Sequence, residues 1–191
     1  MMVSAERETA PGKRVRPGAR AIVIPLLAGA AVSVLLGVYA KTHEPAGYSV
    51  GIAGFSSAQA MKTWLASVSF LLALCQFASA LVMYGRLPVA APSWIGAVHV
   101  WTGRLAVLVS VPVAVHCLYA FGFQHYDTRV LTHSLLGCFC YGAFVAKMLL
   151  LTRNGLPRWA IPIAGGLVLT GVTGLWLTSA LWFFQHNGLT L

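Results

Sequence analysis

Residues 159–184 read WAIPIAGGLVLTGVTGLWLTSALWFF, twenty-six positions without one charged side chain. A helix rising 1.5 Å per residue needs about twenty apolar residues to cross a hydrocarbon core of roughly 30 Å. This run exceeds that length, and four others reach it: Ala21–Ala40, Trp64–Tyr84, Ile95–Phe121 and Val130–Leu151. The runs are continuous rather than alternating, which excludes the strands of a transmembrane barrel. Composition agrees, with 58% hydrophobic and 9% charged residues, and Glu6, Glu8, Glu44 and Asp127 as the only acids among 191 residues. That is too little charge to cover a water-soluble domain. The expected fold is an all-α integral membrane protein of five transmembrane helices. Residues 1–20 form a disordered basic arm, 21–40 the first span, 62–185 a four-helix bundle of spans two to five, and 186–191 an external tail.

The net charge of +9 sits at the ends of the apolar runs and not on one face, so it reads as membrane topology and argues against nucleic acid as a partner. Arg7, Lys13, Arg14, Arg16 and Arg20 precede the first span, Arg86 follows the second, and Arg153 and Arg158 follow the fourth. The opposite connections hold only Lys41, Lys62 and Arg129. The rule that positive loops stay inside then places the N-terminus in the cytoplasm and the C-terminus outside, in a multi-pass protein of the plasma membrane with the lipid bilayer as its first partner. Val38-Tyr39-Ala40 resembles a signal-peptide cleavage site, but the apolar run before it is longer than a usual signal core, so it is read as a retained span.

Cys75, Cys117, Cys138 and Cys140 all fall inside spans, where a thiol behaves as a small apolar group. Cys138 and Cys140 lie about 200° apart around a helix and cannot hold one ion together. A C-x-x-C-H motif is missing, so any haem would be held by side-chain ligation alone.

Three histidines fall within spans: His99, His116 and His133. His116 is five residues before Phe121 and His133 five after Thr128, so a short connection between spans three and four sets both at one depth, roughly 8 Å from the outer helix ends. Two imidazoles facing each other at one depth suit a six-coordinate haem iron. Gly137, one turn after His133, leaves room on the same helix face for a macrocycle. The plainer reading of an intramembrane histidine, a hydrogen bond to a neighbouring helix, stands beside this one.

The stretch HVWTGRLAVLVSVPVAVHCLYAFGFQHYDTRVLTHSLLGCFCYGAFVAKM, residues 99–148, resembles the bis-histidine transmembrane cytochromes b of the ferric-reductase-like superfamily. It is most similar to a small, poorly characterised family of actinobacterial membrane proteins associated with them. The elements carrying the resemblance are H-x-x-x-G twice, at His99 with Gly103 and His133 with Gly137, together with His116. It implies a haem-bearing four-helix bundle that moves electrons, and it names no substrate. Two-haem members repeat a ligand further along the same helix. Lys147, fourteen residues after His133, and Thr102, fourteen before His116, stand where such ligands would fall. One haem b per chain is therefore expected, with His116 and His133 as iron ligands, Gly137 beside the ring and Arg129 as the partner of a propionate. His99 is seventeen residues from His116, about 25 Å along the helix, and belongs to a different depth.

Arg104 and Lys147 share a depth near the cytoplasmic side with no acid beside them. They read either as snorkelling cations or as a site for an anion or a quinone headgroup. Asp127 and Thr128 read as the N-cap of span four. Among the loop histidines His43, His125 and His186, no close spacing with Glu44 marks a copper or zinc site. Without a nucleotide or flavin motif, the expected function is a membrane b-type cytochrome. It would pass electrons between a quinol or membrane donor and an extracytoplasmic redox protein, as an electron-transfer subunit of an oxidoreductase. The alternative is a cofactor-free accessory subunit of a larger membrane complex. A metal-ion transporter is weakest, lacking an intramembrane carboxylate and an inverted repeat.

Overall fold

A computed structural model of the chain describes residues 19–48, 51 and 54–191. The basic arm expected over residues 1–20 therefore lies outside the described residues except for its last two. Every regular element among the described residues is helical: α1 (Arg20–Thr42), α2 (Ala58–Met83), α3 (Ile95–Val115), α4 (Thr128–Leu151), α5 (Ala160–Trp176) and α6 (Trp182–Asn187). A π-helical stretch, His116–Phe121, continues α3, and another, Leu177–Leu181, joins α5 to α6 without a break. The result is five helical rods long and apolar enough to cross a membrane.

Local chemistry sets the ends. The Ser57 hydroxyl accepts from the Ala60 amide at 3.1 Å, so α2 begins six residues before the expected Trp64 and takes Lys62 into its second turn. The Asp127 carboxylate accepts from the Val130 amide at 2.8 Å, the N-cap expected there. Gly122, with φ of +68°, ends the third rod. The fifth rod runs to Asn187, so the tail is shorter than expected.

Each π-helical stretch sits beside a local loosening of the ladder. Pro112, one turn before His116, lacks the amide that would bond the Leu108 carbonyl, so α3 loses a bond in the turn ahead of the stretch. In the fifth rod, Thr178 and Ser179 return their hydroxyls to the carbonyls of Gly174 and Leu175 at 2.7 and 2.8 Å, which loosens the helical ladder.

Packing runs in the order α3, α2, α5, α4, α1. α1 lies on α4 through small residues: a Cβ on Gly29 would stand 2.5 Å from the Gly142 carbonyl and 2.8 Å from the Ala146 Cβ. α3 and α4 follow one another in sequence yet do not pack together along their lengths. At one end main-chain bonds from Phe123 to Ala40 and from Ala46 to Tyr119 tie the end of α1 and the residues after it to the π-helical stretch and the connection that follows it. The C-terminus lies at that same end, where the Ser56 amide donates to the Leu191 carbonyl at 2.7 Å.

Candidate functional site

Between α2, α3, α4 and α5 lies a cavity of about 2160 Å³, more than twice the ~1,000 Å³ upper end of ordinary cofactor pockets. Its walls carry Lys62, Arg86, Arg104, Arg129, Lys147 and Arg158, and no Asp or Glu among the described residues. A space lined by cations without carboxylates favours ligands bearing anionic or lone-pair oxygens.

Two histidines face this space, His99 near one end and His133 near the other. His133 Nδ1 lies 3.0 Å from Thr178 Oγ1, which also reaches the Gly174 carbonyl at 2.7 Å. With the Thr178 proton on that carbonyl, Thr178 accepts from His133 Nδ1–H and Nε2 keeps a free lone pair, the state in which imidazole binds a metal. His99 repeats the arrangement: Nδ1 lies 2.8 Å from Ser79 Oγ, which also reaches the Gln76 carbonyl at 3.0 Å.

His133, Gly137 and Arg129 line this one cavity, and His116 does not. The His116 ring is buried against Phe121, with ring centres 5.2 Å apart, while the next residue, Cys117, faces the cavity. Beyond Gly137 a Cβ would meet only Leu175, at 3.9 Å, so the space expected there exists. Gly103, the other glycine of the H-x-x-x-G pair, opens no such space, because the Gln76 side chain covers it at 2.9 Å. Arg129 donates to the Thr178 carbonyl at 2.8 Å, pairs with Asp127 at 3.8 Å and lies over the Trp182 ring at 4.2 Å.

Sequence reasoning missed Lys62, whose amine sits over the Phe121 ring at 4.1 Å, and the two orienting hydroxyls Ser79 and Thr178. The loop histidines form no metal cluster among the described residues. His43 is stacked between Tyr39 and Tyr119, and His186 bonds the Trp182 carbonyl at 2.7 Å. All four cysteines are free.

No curated protein and no solved structure matches the chain. A family model does match, over residues 22–191, and on that coverage the chain belongs to DUF6529, a family of unknown function.

Proposed function

We propose that this chain is an integral membrane b-type cytochrome of the ferric-reductase-like kind, with α2–α5 and the stretches that extend them as a four-helix bundle around one haem near the outer face. The observation that carries the reading is His133, oriented by a hydrogen bond between Nδ1 and Thr178 and facing a cavity large enough for a macrocycle. Bound haem would supply a one-electron iron couple there. His133 would hold the iron from the cavity wall, and His116, at the start of the π-helical stretch with its ring packed on Phe121 outside the cavity lining, would have to turn toward the cavity beside Cys117 to serve as the second ligand. Gly137 leaves room for the ring, and Arg129 keeps N–H groups for a propionate beyond those given to Thr178 and Asp127. Lys62 adds a second cation near the same end. The electron donor is a quinol or another membrane component, and the acceptor an extracytoplasmic redox protein.

Membrane residence is supported by the outer surface: Leu27 and Leu35 on α1 are 64% and 66% exposed, and such apolar faces run along every rod. Arg20, Arg86, Arg153 and Arg158 stand at the rod ends opposite the Ser56–Leu191 contact, which supports a cytoplasmic N-terminus and an external C-terminus in the plasma membrane. A reporter fused after Leu191 is expected to be active only when it reads the extracytoplasmic side. Activity confined to the cytoplasm would reverse the topology.

The deciding experiment is the visible spectrum of detergent-purified protein, oxidised and then reduced. Sharp low-spin haem bands are expected. A colourless preparation from haem-replete cells would leave the accessory-subunit reading, which the hydrogen bonds already made by His99 and His133 would then explain. Thr178→Val tests the orientation directly. It keeps the shape but removes the acceptor of Nδ1–H, and haem affinity measured by titration is expected to fall about 10- to 100-fold.

A further inference from the structure

The cavity end far from His133 carries groups that the haem reading leaves unused. His99 is the fifth residue of α3 from that end and Lys147 the fifth from the end of α4, so the two are level, and Lys147 is close enough to act on His99 electrostatically. The fourteen residues from His133 to Lys147 put this level about 21 Å from His133.

The hydrogen bonds define what can bind. With its proton on the Gln76 carbonyl, Ser79 accepts from His99 Nδ1–H, and Nε2 is then an acceptor on a cavity wall. Gln76 locks the ring's backbone by donating to the His99 carbonyl and to Thr102 Oγ1. A bare ring nitrogen pairs with a ligand that brings a hydroxyl, and phosphate dianions, carboxylates and quinone carbonyls offer it only lone pairs. Lys147 supplies the complement, an ammonium donor with no carboxylate on the cavity walls. Phe77 and Phe144 line the same space as an apolar bed for a ring.

Access completes the chemistry. At the His133 end the α3–α4 connection and its bond from Phe123 to Ala40 of α1 cover the space, while toward the His99 end α3 and α4 do not pack on one another. A ligand dissolved in the bilayer has a lateral way in there.

We propose that this end of the cavity is a binding site for a lipid-soluble hydroquinone, whose ring hydroxyl donates to His99 Nε2 while an oxygen of the ring lies beside the Lys147 amine. The site names the membrane donor of the function proposed above and rests on that reading only in taking the helices to span the bilayer. A second haem on the same nitrogen is the competing occupant. The neighbouring ammonium disfavours a ferric ion, and with no third imidazole on the cavity walls among the described residues the iron would depend on Met83 or Met148 opposite His99.

The test uses the full chain in detergent, kept anaerobic, with a decyl-tailed hydroquinone, its oxidised quinone and its dimethyl ether, each read by quenching of tryptophan fluorescence. Trp159 lines the cavity and reports occupancy. The hydroquinone is expected to quench saturably and to bind about tenfold or more tightly than the quinone or the ether, which lack the donor. His99→Phe should weaken it by a similar factor, and His99→Gln, whose amide oxygen still accepts, should restore most of it. Equal binding of hydroquinone and dimethyl ether, no saturable quenching, or loss of haem on His99→Phe with hydroquinone binding unchanged would each overturn the proposal. A colourless protein that still prefers the hydroquinone defeats the haem reading alone, and a haem-loaded protein without that preference defeats this one alone.

Discussion

His133→Ala is expected to give a protein that folds and inserts but keeps less than about a tenth of its haem, because the lost group is the ligand itself. Loss of a partner that only orients a metal ligand already costs about 10- to 100-fold in affinity. His133 faces the cavity and is the one imidazole that α4 offers it; Cys140 is buried and Tyr141 is bonded to Ser110, so neither is set up to take its place. His116→Ala should remove the low-spin spectrum as well, since six-coordination needs both imidazoles. His99→Ala should leave haem bound, at one per chain by pyridine-haemochrome quantification. Retention of a high-spin haem in His116→Ala would show that His133 holds the iron alone. Loss confined to His99→Ala would move the site to the opposite end of the cavity.

The contrast between His116 and His133 shows how far the sequence could be read. Five rods were legible because length and apolarity suffice to mark them, and the Asp127 cap because its chemistry is local. The depth of each histidine was legible too, since rise per residue varies little. The direction of His116 was not: projecting its angle assumes 3.6 residues per turn through Phe121, and the chain winds into π-helical register from His116 onward. His133 and Gly137 lie on regular helix, and there the projection to one face holds.

Lys62 was hidden for another reason. A hydropathy window stops at the first charge, so α2 seemed to begin at Trp64, whereas the Ser57 cap begins it at Ala58 and sets the amine over Phe121. Ser79 and Thr178 are single hydroxyls in apolar rods, and each could equally have bonded its own backbone. What makes them orienting groups is that they do so and still accept from a histidine on another helix, which only the packing of α2 on α3 and of α5 on α4 brings about.

That same packing carries the largest stability effect to be expected, at the seam between α1 and α4. Gly29, Ser33 and Gly37 recur every four residues on α1, against Cys138, Gly142 and Ala146 with the same spacing on α4. Helices in lipid gain little from apolar burial as such, so close backbone approach through small residues supplies much of their association. A Cβ on Gly142 would enter the space of Ser33 Oγ and the Gly29 carbonyl, and a rigid backbone carbonyl cannot give way as a flexible side chain can. Gly142→Ala is expected to cost on the order of 1–3 kcal/mol, and Gly142→Val to separate the two helices. Gly166→Ala is the control, because a Cβ there meets nothing within 4 Å and alanine favours the helix. Docking can be read directly by Gly37→Cys, whose Cβ would lie 3.7 Å from Cys138 Sγ. Oxidation should crosslink the pair with native Gly142 and fail with Gly142→Val. α1 packs chiefly on α4, with a smaller contact to the π-helical stretch of the third rod, so on the proposed reading α2 to α5 should retain haem when it undocks. Full crosslinking in the Gly142→Val background would show that the seam tolerates the added bulk, and haem loss in step with crosslink loss would make α1 part of the cofactor's scaffold.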